Sequence, residues 1–242
     1  MLEYSVFSRA PEGKTLFPAQ MFDYGKAILT IREHADEWCV DTEKISIVGF
    51  SAGAHLCGMI ATTWHETLLA EHFGKDPSVF RPLSALLIYP ITDFRIQNRN
   101  LKNGSIPLYT VDANKAIFGC DYPTEEVEKM YSPVEHVSDQ TCPIFIAAAT
   151  DDCIVSADQS LKLAEKLQAT HVPYELHLFQ YGNHGFALGR YIPQPYREDK
   201  KHVNAQWIGL AKKFLMHAIA GETTQTEKNP FGISEAEQEN RL

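Results

Sequence analysis

A serine stands between two glycines in Gly49-Phe50-Ser51-Ala52-Gly53, directly after the apolar run Ile45 to Val48 and before a helix-forming segment. This is the G-x-S-x-G pattern in the strand, tight turn, helix context that a nucleophilic serine uses. The backbone of such a turn is strained and crowded, so the pattern predicts that Gly49 and Gly53 leave the room that side chains would fill. The turn presents Ser51 Oγ at a helix N-terminus, where the backbone dipole favours developing negative charge. The backbone N–H of Ala52 is then the natural first oxyanion donor. The plainer alternative is a glycine-flanked serine that only caps a helix.

A serine hydroxyl needs a base, and the base needs an orienting carboxylate, in the chain order Ser, acid, His. Among the ten histidines, His184 lies in the glycine-bracketed loop Tyr181-Gly182-Asn183-His184-Gly185-Phe186, just past the alternating run Tyr174 to Gln180. Residues past the carboxyl ends of parallel strands gather on one edge of the sheet, which is also the edge of Ser51. His184 is therefore the candidate base. His55, one helical turn after Ser51, reads as a hydrogen-bonded packing residue rather than a proton carrier, and His171 and His177 read as solvated surface. Asp151 and Asp152 both follow the apolar run Ile144 to Ala149 at the same edge. Either could fix the imidazole tautomer. The pattern Asp152-x-x-Val155, leading straight into the next helix, favours Asp152 and leaves Asp151 as a loop or capping residue. Asp93, past Tyr89-Pro90, reads as a pocket or loop residue.

The elements that must position these groups alternate along the chain. Leu2 to Ser8 reads as a short strand running into a loop, Pro11 to Pro18. Met21, Tyr24, Ile28, Ile31, Ala35 and Trp38 draw one apolar stripe along a long helix that should lie on a sheet. Ile45 to Phe50 is the next strand and Ala54 to Leu69 its helix. Leu83 to Tyr89 and Ile144 to Ala149 are nearly all apolar, as strands covered on both faces are. Between them, residues 93–142 mix polar, proline and aromatic residues around short helical stretches at Asp112 to Phe118 and Thr124 to Tyr131, the composition of a lid-like insertion. Its Phe94, Ile106, Tyr109, Phe118 and Tyr122 either line a substrate pocket or form the lid's own small core, the plainer option. Ala157 to Thr170 reads as helix, Tyr174 to Gln180 as strand, and Val203, Trp207, Leu210, Phe214 and Ala218 as a last helix stripe. The expected class is α/β with a mainly parallel sheet and helices on both faces. Residues 1–220 form the expected catalytic domain and 221–242 a polar tail.

Composition narrows the function. Of 242 residues, 22 are Lys or Arg and 31 Asp or Glu, a formal charge of −9, which repels phosphate backbones and argues against nucleic acid as partner. No apolar run is long enough to span a membrane, and Met1 to Ala10 lack the basic start and apolar stretch of a signal peptide. Cys39, Cys57, Cys120, Cys142 and Cys153 are odd in number and scattered, without a metal-binding spacing, so a reduced cytoplasmic protein with no metal is expected. The sequon Asn103-Gly104-Ser105 matters only in a secreted protein.

Taken together, Ile45 to Leu56, Tyr89-Pro90, Ser132-Pro133-Val134, Ala149 to Val155 and Gly182 to Phe186 resemble the α/β-hydrolase superfamily. The likeness runs over about residues 2–219 and is strongest to its small bacterial carboxylesterases, a group that includes acetyl esterases and xylanase-associated sugar-ester hydrolases. The resemblance implies a nucleophile at Ser51, an acid at Asp152 and a base at His184. It also implies hydrolysis of small carboxylic esters without a cofactor, with short acyl or acetyl-sugar esters as substrates. Members of the group carry, upstream of the segment similar to Leu2 to Ser8, a further strand and a Gly-rich loop that supplies the second oxyanion donor. This sequence has no Gly-Gly pair, so the expected fold is N-terminally incomplete, with a gap in the sheet or direct pairing of Leu2 to Ser8 with Ile45 to Phe50. One oxyanion donor is worth about 3 to 4 kcal/mol. Two other readings follow from this, a hydrolase-like binding protein without catalysis and a fragment with no stable fold; a third, a peptidase of the prolyl-oligopeptidase type, rests on the motif order that those catalytic domains share, and the lack of an accompanying propeller domain favours a small-molecule ester over it. An uncovered strand edge favours a homo-oligomer.

Overall fold

A computed structural model describes residues 1–5, 16–189 and 204–221. Its centre is a four-stranded parallel sheet in the order β1-β2-β3-β4, formed by Ile47–Phe50, Ala85–Ile88, Ile144–Ala149 and Tyr174–Phe179. Every residue of β2 and β3 is buried, as uninterrupted apolar strands inside a layered α/β fold must be. Alternate side chains serve opposite faces. Ala85, Leu87, Ile144 and Ile146 meet α8 (Asp158–Ala169) through Leu163, Ala164 and Leu167, together with Ala54 and Ala61 of α3 (Ala52–Thr63). Leu86, Ile88, Phe145 and Ala147 meet α9 (Gln206–Ala220) through Trp207, Ala211 and Phe214. The sheet is thus sandwiched between helices.

Several elements depart from the sequence expectation. The long first helix is broken at His34 into α1 (Ala19–Glu33) and α2 (Ala35–Trp38). Burial along its stripe stops at Ile28, and Trp38 stacks on His34 in solvent. Nor does α1 rest mainly on the sheet: Met21, Tyr24 and Ile28 pack on Leu56, Met59 and Ile60 of α3, on Leu69 of α4 (Thr67–Phe73) and on Phe80. The helix expected over Ala54 to Leu69 ends at Thr63, where Thr62 and Thr63 turn their hydroxyls back onto the carbonyls of Gly58 and Met59, bonds that slightly destabilise a helix. Leu2 to Ser5 form no strand, and the rest of that expected strand lies outside the described residues, as does residues 222–242 of the tail. Among the described residues the four strands are hydrogen-bonded neighbours without a gap, and the sheet ends at β1, where Val48 is 52% exposed.

Between β2 and β3 the chain leaves the sheet as α5 (Phe94–Lys102), α6 (Val111–Phe118) and α7 (Glu125–Met130). Phe94 packs edge-on against Phe118, which lies against Tyr131, so these rings form a small core of their own. Asp93 ties this excursion to α8. Its carboxylate is fully buried, caps α5 by accepting from the Arg95 N–H, and pairs with Arg95 and Lys162. Burial pushes its carboxyl up, but the hydrogen bonds from Arg95 and Lys162 outweigh burial and hold it below the ordinary range.

Candidate active site

The carboxyl ends of β1, β3 and β4 bring three side chains together. Ser51 follows β1 with φ 52° and ψ −119°, a left-handed conformation rare for a residue with a Cβ. Its N–H is held by the carbonyl of Ile88 at 2.9 Å. Ser51 occupies the N-cap position of α3, yet its hydroxyl makes no capping bond. Instead Oγ lies 2.8 Å from His184 Nε2. His184 Nδ1 lies 2.8 Å from Asp152 Oδ2. A carboxylate can only accept, so the proton sits on Nδ1 and Nε2 is left to accept from the serine. The other oxygen of Asp152, Oδ1, accepts the backbone N–H groups of Ile154 and Val155 at 2.9 and 2.8 Å, and the carboxylate is wholly buried. The N–H of Ala52, first in α3, has no partner within the helix by construction and stands beside the serine.

The steric demand of the turn falls on one glycine. A Cβ at Gly49 would stand 2.1 Å from the carbonyl oxygen of Gly53, whereas a Cβ at Gly53 would meet nothing nearer than Tyr4 Oη at 3.6 Å. Gly49 lets β1 and α3 touch backbone to backbone; Gly53 does not need to be small. Gly49→Ala is expected to lose about 1–3 kcal/mol of stability, while Gly53→Ala, inside a helix, is expected to change it by less than about 1 kcal/mol in the favourable direction. Paired thermal melts check this, and equal destabilisation by the two would contradict it.

The sequence gives little sign of a second layer that braces the triad. Asn183, at φ 52°, donates its N–H to Asp151 Oδ1 at 2.8 Å, and its side-chain oxygen accepts from the His184 N–H at 2.7 Å and the Cys153 thiol at 3.2 Å. Asp151 is thus a strut between the two loops. The only available signal is Asn between Gly and His, since asparagine tolerates the left-handed region. Tyr89, also at positive φ, lays its ring edge-on to His184 and Phe186. His177 is half-buried, bonded to Glu175 and tilted against Phe145 rather than solvated, while His171 is exposed.

His55 is buried and donates Nε2–H to the carbonyl of Tyr131 at 2.7 Å. Burial pulls its pKa down to about 4, against which the Tyr131 bond pushes only partly. The folded state therefore binds this proton less readily than the unfolded chain, whose histidine titrates near 6.5. The contribution is intact above pH 6.5 and is lost as the pH falls from there towards 4, reaching about 2 kcal/mol at pH 5. His55→Gln, which keeps a donor for Tyr131, is expected to flatten the drop in melting temperature between pH 7 and pH 5. An unchanged drop would assign it to other groups.

A cavity of about 300 Å³ opens over the serine, bounded by Ser51, Ala52, His55 and His184, by Phe94, Leu101 and Ile117 of the excursion, and by Ile154 and Val155. Phe94 therefore serves both the small core and the cavity wall. Tyr122 does not: it is exposed under Lys102. Ile106 is buried, and the side chain of Tyr109 lies outside the described residues. A second hollow of about 200 Å³ adjoins the first across Ala52, His55, Ala113 and Ile117 and is lined by Tyr4, Phe17 and Gln20.

Residues 3–167 match the model of the BD-FAE family. The chain is 29% identical over 167 residues to endo-1,4-beta-xylanase B of Butyrivibrio fibrisolvens, covering 69% of this chain and 24% of that protein. It is 25% identical over 188 residues to an acetylxylan esterase of Xylanibacter ruminicola, covering 76% of this chain and 34% of that one. The chain thus spans about a quarter to a third of the length of these two relatives. Among solved structures, an acetyl ester-xyloside bifunctional hydrolase from Caldicellulosiruptor lactoaceticus superposes with a TM-score of 0.60 at 26% identity, over 83% of this chain and 68% of the other. With two thirds of its length matched and a parallel sheet that carries a Ser-Asp-His cluster at its carboxyl edge, the chain belongs to the BD-FAE family and has an α/β-hydrolase fold.

Proposed function

We propose that the chain is a serine hydrolase that cleaves small carboxylic esters, short acyl or acetyl-sugar esters among them, through an acyl-enzyme on Ser51. The observation that carries this reading is the unbroken relay from Ser51 Oγ through His184 to Asp152, with 2.8 Å at each step. Ser51 Oγ attacks the ester carbonyl carbon as its proton passes to His184 Nε2, and Asp152 stabilises the imidazolium. The negative charge on the carbonyl oxygen is met by the N–H of Ala52 at the N-terminus of α3. The ester C–O bond breaks, the leaving alkoxide takes the proton from His184, and water attacks the acyl group while giving a proton to His184. The carboxylic acid then departs and Ser51 regains its proton. No step calls for a redox group.

The acetyl-ester choice draws support from relatives named for acetylxylan and acetyl-ester hydrolysis. Five unpaired cysteines support placement in the cytoplasm, and no helix among the described residues is long and apolar enough to cross a membrane. The test is release of p-nitrophenol from p-nitrophenyl acetate, together with labelling by a fluorophosphonate probe followed by peptide mass spectrometry. Turnover with the adduct on Ser51 is the expected result. A folded chain that shows neither turnover nor label would leave a non-catalytic binding protein.

A further inference from the structure

The cavity over Ser51 has a polar end that the proposed chemistry leaves unused. It is built from Gln97 and Asn98 on α5, Thr110, and Asn114 on α6. Each amide is oriented by its partners. Asn98 Nδ2 donates to Glu128 Oε1 at 2.8 Å, and Asn98 Oδ1 accepts from Asn114 Nδ2 at 2.6 Å. Asn114 Nδ2 also donates to the carbonyl of Asp121 at 2.7 Å. Both hydrogens of Asn114 are therefore spent, and its Oδ1 has no donor among the described residues. Gln97 Nε2 donates to the carbonyl of Ile154 at 3.1 Å, and its Oε1, on a residue 6% exposed, is buried without a partner among the described residues. Thr110 Oγ1 gives its hydrogen to the carbonyl of Pro107 at 2.7 Å, which leaves lone pairs only.

Gln97 Oε1, Asn114 Oδ1 and Thr110 Oγ1 are thus left as acceptors at this end of the cavity. A buried amide oxygen without a donor is costly, and apolar side chains of the same shape would fold at least as well. In a row of linked amides anchored on a carboxylate, each bond polarises the next, so the last oxygen is a better acceptor than an isolated amide. A hydroxyl supplies the missing hydrogen. A carboxylate or phosphate brings no hydrogen to these oxygens.

Building on the ester-hydrolase reading of the Ser51 site, we propose that Gln97 and Asn114 are specificity-determining residues. They accept hydrogen bonds from a hydroxyl on the half of the ester seated under the lid, and so select uncharged hydroxylated esters over their deoxy and anionic counterparts.

The test uses two substrate pairs, glycerol monoacetate against propyl acetate and propyl 3-hydroxybutyrate against propyl butyrate, so that either half of the ester can carry the hydroxyl. The wild-type chain is expected to favour the hydroxylated member of at least one pair by about tenfold in kcat/KM, the value of one neutral hydrogen bond. Gln97→Met keeps the length of the side chain and removes the orphaned oxygen, and it is expected to collapse that ratio towards one. Asn114→Leu should do the same, though it also releases Asn98 and is judged only if its melt stays cooperative. No preference in either pair, or an equal loss on both members, overturns the proposal. A second arm is independent of turnover: in Ser51→Ala, methyl β-D-xylopyranoside at high millimolar concentration should shift the side-chain amide NMR resonances of Gln97 and Asn114. If no ester is cleaved but these resonances move, the subsite stands and the hydrolase reading falls; if they stay still, the subsite itself is refuted.

Discussion

Ser51→Ala is expected to lower kcat on p-nitrophenyl acetate by on the order of 10⁴- to 10⁶-fold, the loss seen when a triad nucleophile is removed and only binding and oxyanion contacts remain. The substitution deletes the one atom that His184 Nε2 faces at 2.8 Å. Little else changes. Ser51 Oγ caps nothing in α3, alanine accepts the positive φ no worse than serine, and the His184–Asp152 bond is made without the serine. The melting temperature of the variant should therefore stay close to the wild-type value while turnover vanishes. Steady-state kinetics alongside a thermal melt give the answer. A loss of only about tenfold would mean that water, activated by His184, attacks the ester directly without an acyl-enzyme.

Asp152→Asn should cost about 10⁴-fold in kcat, with the fold intact. The size follows from which way the new amide must point. Asp152 Oδ1 receives two backbone N–H groups, from Ile154 and Val155, so an asparagine keeps its oxygen there and turns its NH₂ towards His184. The imidazole must then accept at Nδ1 and carry its proton on Nε2, where it confronts the hydroxyl of Ser51 as a second donor. The base is present but in the wrong tautomer. Kinetics with p-nitrophenyl acetate at neutral pH measure the loss. Asp151→Asn provides the contrast, because Asp151 touches the backbone of Asn183 and not the imidazole; a larger loss in that variant would transfer the role of acid to it.

The parts of the site that were legible in the sequence are those where one residue type meets a backbone requirement. A serine in a glycine-flanked strand-to-helix turn and a histidine in a glycine-bracketed loop after a strand declare themselves because few other sequences can make those turns. Ile144 to Ala149 declared a buried strand because every residue is apolar, and the structure gives β3 those bounds. What stayed hidden depends on partners distant in the chain. Gly53 and Gly49 look alike in the sequence; only the packing of α3 on β1 shows that one is obligatory and the other free. The stripe from Met21 to Trp38 has a helical period throughout, yet the surface available to cover it ends after Ile28. His177 alternates out of its strand but comes to rest against Phe145, a pair that periodicity within one strand cannot show. The amides of Gln97 and Asn98 on α5 and of Asn114 on α6 belong to no motif in the sequence, because their meaning lies in the partners that orient them.

The three groups linked by the two side-chain hydrogen bonds of His184 come from turns after β1, β3 and β4, and Ser51 and His184 are separated by 133 positions in the chain. No short segment contains even a rudimentary version of the site. It comes into being only when the non-local pairings β1 with β2, β2 with β3 and β3 with β4 have all formed, and such high-contact-order steps are slow. During refolding from denaturant, helical signal should therefore return well before esterase activity, and catalysis itself becomes the most stringent reporter that the last strand has found its place.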